Sequence, residues 1–176
     1  LYRIHLDTKD DQALVFLVAH DDNMEIGPHR GGLAGVAWED VDVTEVSVAV
    51  QLYAGLPIPI PHPLVHVFLP TAEKMPYPFL VNGAFTSGLS RQSIRVEQNQ
   101  SNYNAFLVRH AAYLFSHTLI PTLAARDRHR TILLLERNPL IQTPLAQVMY
   151  QALRDCLWDR PLIPAEDGSL LSPCDL

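Results

Sequence analysis

Between Pro78 and Ile94 the chain reads Pro-Phe-Leu-Val-Asn-Gly-Ala-Phe-Thr-Ser-Gly-Leu-Ser-Arg-Gln-Ser-Ile. An apolar, strand-like run gives way to small and polar residues. They carry one arginine, Arg91, between Ser90 and Gln92. A guanidinium on a small-residue loop can reach an anionic group held elsewhere. The same residue also fits a surface arginine paired with a carboxylate, the ordinary state of an exposed arginine.

Other chemistry is thinly represented. The eight histidines are His5, His20, His29, His62, His66, His110, His117 and His129. Their spacings match no zinc pattern, and no Cys-x-x-Cys or His-Glu-x-x-His sequence occurs. His20, Asp21, Asp22 and His29 could ligate a cation, which would make a metal-dependent hydrolase; a solvated acidic loop is the simpler expectation. His110 and His117 are seven residues apart on one predicted helix, about 10 Å, too far to share an ion. They are expected to be partly buried core histidines. No metal is therefore assigned. Ser87-Gly88-Leu89-Ser90 is not a nucleophile elbow. Glu166-Asp167 flank a turn. Gly31-Gly32 and Gly35 lack the Lys-Ser/Thr of a phosphate-binding loop.

Composition frames these residues. Of 176 residues 48% are apolar and 18% charged, enough for a core and unlike a disordered chain. That length suits one domain, or one domain and an appendage. The net charge of −6 argues against nucleic acid or an anionic membrane as partner. Arg126, Arg128, His129 and Arg130 read as a solvated turn between helices. Two cysteines make no disulfide framework. Cys156 falls on an apolar helix face as a buried thiol with no reason to be a thiolate; Cys174 lies near the end. No secretory segment is present, and no apolar run nears the roughly 20 residues of a membrane span. A reduced, cytoplasmic setting is expected.

The elements that must position these groups follow from periodicity. Ala13 to Ala19 reads as a buried strand and Asp21 to Gly35 as a loop. Val46, Val48, Val50 and Leu52 alternate with polar or small residues, a strand signal of period two. Pro57, Pro59, Pro61 and Pro63 predict an extended connector over 55–63. Strands are expected at Leu64–Leu69, stopping at Pro70-Thr71, and at Phe79–Phe85. The second half changes period. Tyr103, Phe106, Leu107, His110, Leu114 and Thr118 predict a helix from Asn102 or Ser101 as N-cap to about Leu119, stopped by Pro121. Thr143 and Pro144 start a second, carrying the stripe Leu145, Val148, Met149, Ala152, Leu153 and Cys156 and ending before Pro161. Ile132 to Leu135 fits strand or helix. Asp167-Gly168 predicts a turn between Leu162-Ile163 and Leu170-Leu171. Strands followed by helices indicate an α+β fold with a mixed or antiparallel sheet.

Several segments, in this order, resemble the sacsin-type branch of the GHKL superfamily of gyrase, heat-shock chaperone, histidine kinase and mismatch-repair ATPases. They are His66-Val67-Phe68-Leu69-Pro70-Thr71, Tyr77-Pro78-Phe79-Leu80-Val81-Asn82-Gly83-Ala84-Phe85, Ser90-Arg91-Gln92-Ser93-Ile94, Asn102-Tyr103-Asn104, and Pro161 to Leu170. The match runs from about Glu45 onward; the first forty residues match poorly. Gln92 stands where the family has an acidic residue, and Tyr103 where it has Trp. Leu89-Ser90-Arg91 is also similar to a loop in the middle domain of the large heat-shock chaperone, whose arginine reaches the γ-phosphate of ATP bound by the preceding domain.

The resemblance implies a transducer-like α+β domain over 1–123 and a helical extension over 124–176 that ends in a turn or hairpin, together a fragment of a longer chain. The non-methionine start agrees with that expectation. It implies Arg91 as a γ-phosphate contact supported by Ser90, Gln92 and Asn82. ATP and magnesium would be held by an upstream domain acting in cis, and protein clients are possible partners of such a chaperone-like ATPase. The Asn-bearing helix, Asp-x-Gly-x-Gly segment and Gly-rich lid of the family's pocket are not readable in this sequence. The alternative is a degenerate, nucleotide-independent protein-interaction module.

Overall fold

The computed structural model describes residues 1–7, 13–29, 40–87, 94–96, 102–165, 167 and 169–175. Within them the chain is α+β: a mixed sheet in the first half, helices in the second. The strands are β1 (Tyr2–Asp7), β2 (Ala13–Glu25), β3 (Val43–Tyr53), β4 (Leu56–Ile58), β5 (Leu64–Val67), β6 (Leu69–Lys74) and β7 (Leu80–Gly83). They order β1-β2-β3-β7-β5-β6, with β4 added to β3. All pairings are antiparallel except β5 with β7.

β3 is the backbone of the sheet. Thr44, Val46, Val48, Val50 and Leu52 are buried at every second position, as the alternation predicts. Leu17 and Ala19 of β2 sit opposite Val50 and Val48, and Val81 of β7 sits opposite Val48 from the other side. One apolar surface results, and the helices cover it.

Four sequence expectations are corrected in this half. β2 continues through Asp21 to Glu25, with a register shift between Asp21 and Met24, where a loop was expected. Pro57 lies inside β4, opposite Leu52. β4 pairs with β3 alone, so Pro57 sits in an edge strand, which tolerates the missing N–H. The run Leu64–Leu69 is not one strand, because the chain reverses at Phe68 with φ 59°. Pro70 and Thr71 consequently belong to β6 rather than ending a strand. The strand expected at Phe79–Phe85 is shorter, Leu80–Gly83.

The helices are α1 (Tyr103–Leu114), α2 (Ile120–Ala124), α3 (Arg128–Leu133) and α4 (Pro144–Leu157). Asn102 caps α1 by accepting the Ala105 N–H at 3.0 Å. Thr143 caps α4 through Ala146 N–H at 3.3 Å, with Pro144 at the first position, as read from the sequence. Pro121 does not stop the first helix. Phe115–Leu119 widens into a π-helical turn, in which Ile120 N–H donates to Phe115 O. The helix then passes through Pro121 into α2. In that register Pro121 has no N–H for Ser116 O, and the Arg160 Nη1 donates to this carbonyl instead, at 2.9 Å.

Asp127 caps α3 through Arg130 N–H at 2.9 Å. Arg128, His129 and Arg130 thus form the first turn of a short helix instead of a loop, and Ile132-Leu133 is its end. β8 (Ile163–Pro164) and β9 (Leu170–Leu171) form the terminal hairpin; Gly168 of its expected turn lies outside the described residues.

One core cluster joins the sheet to α1, α2 and α4, from Leu17 to Leu157. It therefore crosses the boundary expected at 123/124. Phe79 and Phe115 stack at its centre, ring centroids 4.0 Å apart. Each such ring contributes about 1.5–3 kcal/mol by burial. No helix among the described residues is long and apolar enough to cross a membrane.

Candidate functional site: a clamped loop stem

Arg91, Ser90 and Gln92 lie outside the described residues. What the structure describes is the chain on either side of them. Ser87 and Ile94 form an antiparallel bridge, so the two arms meet on either side of it.

The first turn of α1 grips that stem. Long side chains near a helix start point back past the N-terminus. Here that direction leads to the end of β7. The Asn104 carboxamide, 2% exposed, makes four hydrogen bonds there. Its Oδ1 accepts the Thr86 N–H at 2.8 Å and the Thr86 hydroxyl at 3.1 Å. Its Nδ2 donates to Thr86 O and to Arg95 O, both at 2.8 Å. One side chain thus ties the incoming arm to the outgoing arm. Beside it the Tyr103 hydroxyl donates to Ala84 O at 3.0 Å and shares a hydrogen bond with Thr44 Oγ1. Burial pushes the Tyr103 phenol above its ordinary value, against the opposing effect of the Thr44 hydrogen bond. Tyr103 therefore acts as a neutral donor.

Asn82 is placed elsewhere. It lies in β7 opposite Ser47 and His66. Its Oδ1 accepts the Phe68 N–H at 2.9 Å, and so steadies the reversal between β5 and β6 rather than the stem.

Next to Tyr103 a cleft of about 370 Å³ is lined by Asp22, Val43, Glu45, Phe68 and Ala84. Strand alternation divides the residues read as a possible cation site. The His20 Nε2 stands 3.8 Å from both Asp22 Oδ2 and Glu45 Oε2. Asp21 instead pairs with His110 Nε2 at 2.8 Å. His29 stacks on Phe106 with centroids 4.2 Å apart. Among the described residues no group of three or more His, Cys, Asp or Glu side chains could hold a metal ion.

The remaining singled-out residues have structural roles. His110 is half-buried as expected. His117 is exposed, stacked on Tyr113 at 4.1 Å, and is not a core residue. The Arg126 Nη1 donates to Gly55 O at 3.3 Å. Burial pushes the Cys156 thiol up, consistent with a packed, unreactive sulfur.

Asn104 was quoted in the sequence only as part of a helix start. The periodicity placed the apolar face through Phe106, His110 and Thr118, which are only half-buried; the buried face runs through Asn104, Leu107, Val108 and Ala111, where an amide needs partners.

Comparison with protein-family models, with curated proteins and with solved structures finds no match to this chain.

Proposed function

We propose that this chain is a middle- or transducer-like segment of a sacsin-like GHKL ATPase, coupling the nucleotide state of an upstream domain to conformation through Arg91. The observation that carries the reading is the Asn104 clamp. A guanidinium that stabilises charge on a transferring phosphoryl group must be positioned before the reaction. The chain before and after the Arg91 stretch, at Thr86 and at Arg95, is held by one buried carboxamide. The α+β fold and the order of the resembling segments support the same reading. ATP and its magnesium would be bound by the upstream domain, and this chain would contribute the arginine alone.

The test joins the upstream domain to this chain and measures ATP turnover with Arg91→Ala. A loss of about 10³-fold is expected for an arginine acting on the transferring phosphate. An unchanged rate removes the catalytic role. The competing reading, a nucleotide-independent interaction module, draws on the exposed Phe68 and Leu69 at the β5–β6 reversal. An upstream sequence lacking the Asn-bearing helix and the Asp-x-Gly-x-Gly segment favours it.

A further inference from the structure

Apart from Arg91, two further arginines share one place in the fold. Arg109 of α1 and Arg137, in the connection from α3 to α4, line one cavity of about 400 Å³. α4 forms its floor with Gln147, Tyr150, Gln151 and Asp155. The connection is fixed where Asn138 N–H donates to Pro76 O at 2.8 Å. Arg137 lies over the Tyr150 ring, 4.7 Å from its centroid.

The charges here lack the usual partners. The chain has 19 acidic residues against 13 lysines and arginines. Yet among the described residues neither Arg109 nor Arg137 has a carboxylate within ion-pair distance. The Arg137 Nε is buried with no hydrogen-bond partner among the described residues. An orphaned buried donor on a guanidinium is costly unless something accepts from it. Asp155, the one carboxylate in the lining among the described residues, accepts from Gln151 Nε2 at 2.7 Å. Among the described residues the lining therefore carries two positive charges against one negative.

We propose that this cavity binds the phosphate group of a small phosphate monoester, with Arg109 and Arg137 as its two contacts. Guanidiniums arriving from different elements suit a tetrahedral oxyanion, whose oxygens point in several directions. A carboxylate has two coplanar oxygens, which one guanidinium fork satisfies. The organic part of the monoester would lie along the Tyr150 ring.

The experiment follows the arginine Nε–H resonances of the chain by NMR during titration with phenyl phosphate, inorganic phosphate and malonate. Phenyl phosphate should shift the Arg109 and Arg137 signals saturably, with half-saturation at or below about 1 mM. Inorganic phosphate should bind more weakly. Arg109→Gln and Arg137→Gln should each lower affinity about tenfold or more. Arg137→Lys keeps a cation over Tyr150 and guards against misfolding; it should also lose affinity, because it lacks the fork. Arg154→Gln, whose guanidinium lies over Trp158 outside the cavity, should bind like the parent. No saturation, affinity indifferent to both glutamine variants, inorganic phosphate binding as tightly as phenyl phosphate, or malonate binding as tightly as phenyl phosphate would each overturn the proposal.

Discussion

Asn104 holds Thr86 by three hydrogen bonds, accepting from its N–H and hydroxyl and donating to its carbonyl. The fourth, to Arg95 O, ties Thr86 to the chain just past Ile94. The backbone is thereby held at Thr86 and at Arg95, on either side of residues 88–93 in the sequence.

Asn104→Ala should therefore cost about 1–3 kcal/mol, since it removes four part-buried hydrogen bonds that join the half-buried Thr86 to Arg95. Urea unfolding measures the loss. Amide hydrogen exchange at Thr86 should accelerate in the variant under native conditions. Unchanged exchange would show that the bridge from Ser87 to Ile94 holds the stem unaided.

Arg160 should matter through Pro121. Arg160→Ala leaves Ser116 O without its donor and should destabilise the chain by about 1–2 kcal/mol. Pro121→Ala restores an N–H to the helix. A double-mutant cycle should show the Arg160→Ala penalty shrinking in the Pro121→Ala background. Strictly additive penalties would refute the coupling.

Tyr77 makes stability fall at alkaline pH. Its phenol is pushed up to about 12, chiefly by burial, with the nearby Arg137 charge opposing and Tyr150 adding. Below about pH 10 both folded and unfolded chains keep the proton. Between about 10 and 12 the unfolded chain releases it while the folded chain retains it. The unfolded state then binds fewer protons, so stability drops as pH rises, by about 1–2 kcal/mol. Urea midpoints across this range should flatten in Tyr77→Phe. An identical slope would assign the loss to other groups.

Gly83 ends β7 where a side chain would be crowded. A Cβ there would lie 3.2 Å from Glu45 O, Phe85 Cε2 and Val46 Cγ2. Gly83→Ala should cost about 1–3 kcal/mol, read as a lower thermal midpoint. A neutral result would mean that β3 and β7 can part by a few tenths of an ångström without loss.

Much of the fold was legible because it is written between near neighbours. The alternation from Val46 to Leu52 marks β3. Asn102, Thr143 and Pro144 mark helix starts whose hydrogen bonds reach only three residues ahead. The site was legible only in part. The sequence singled out the loop, but it grouped Asn82 with that loop, and β7 gives its side chain to Phe68 instead.

The sequence by itself thus determined the α+β class, the main strand and the capped helices, since side-chain period and capping chemistry act over a few residues. The tertiary structure alone decided which segments meet. It carried the helix through Pro121, because a π turn and a distant Arg160 handle the missing N–H. It turned Asp21 toward His110 and His20 toward Glu45, because a strand replaced a loop. It brought Asn104 to Thr86 and Arg95 and set Arg109 and Arg137 on one cavity, because packing α1 and α4 on one sheet unites groups whose spacing along the chain carries no signal.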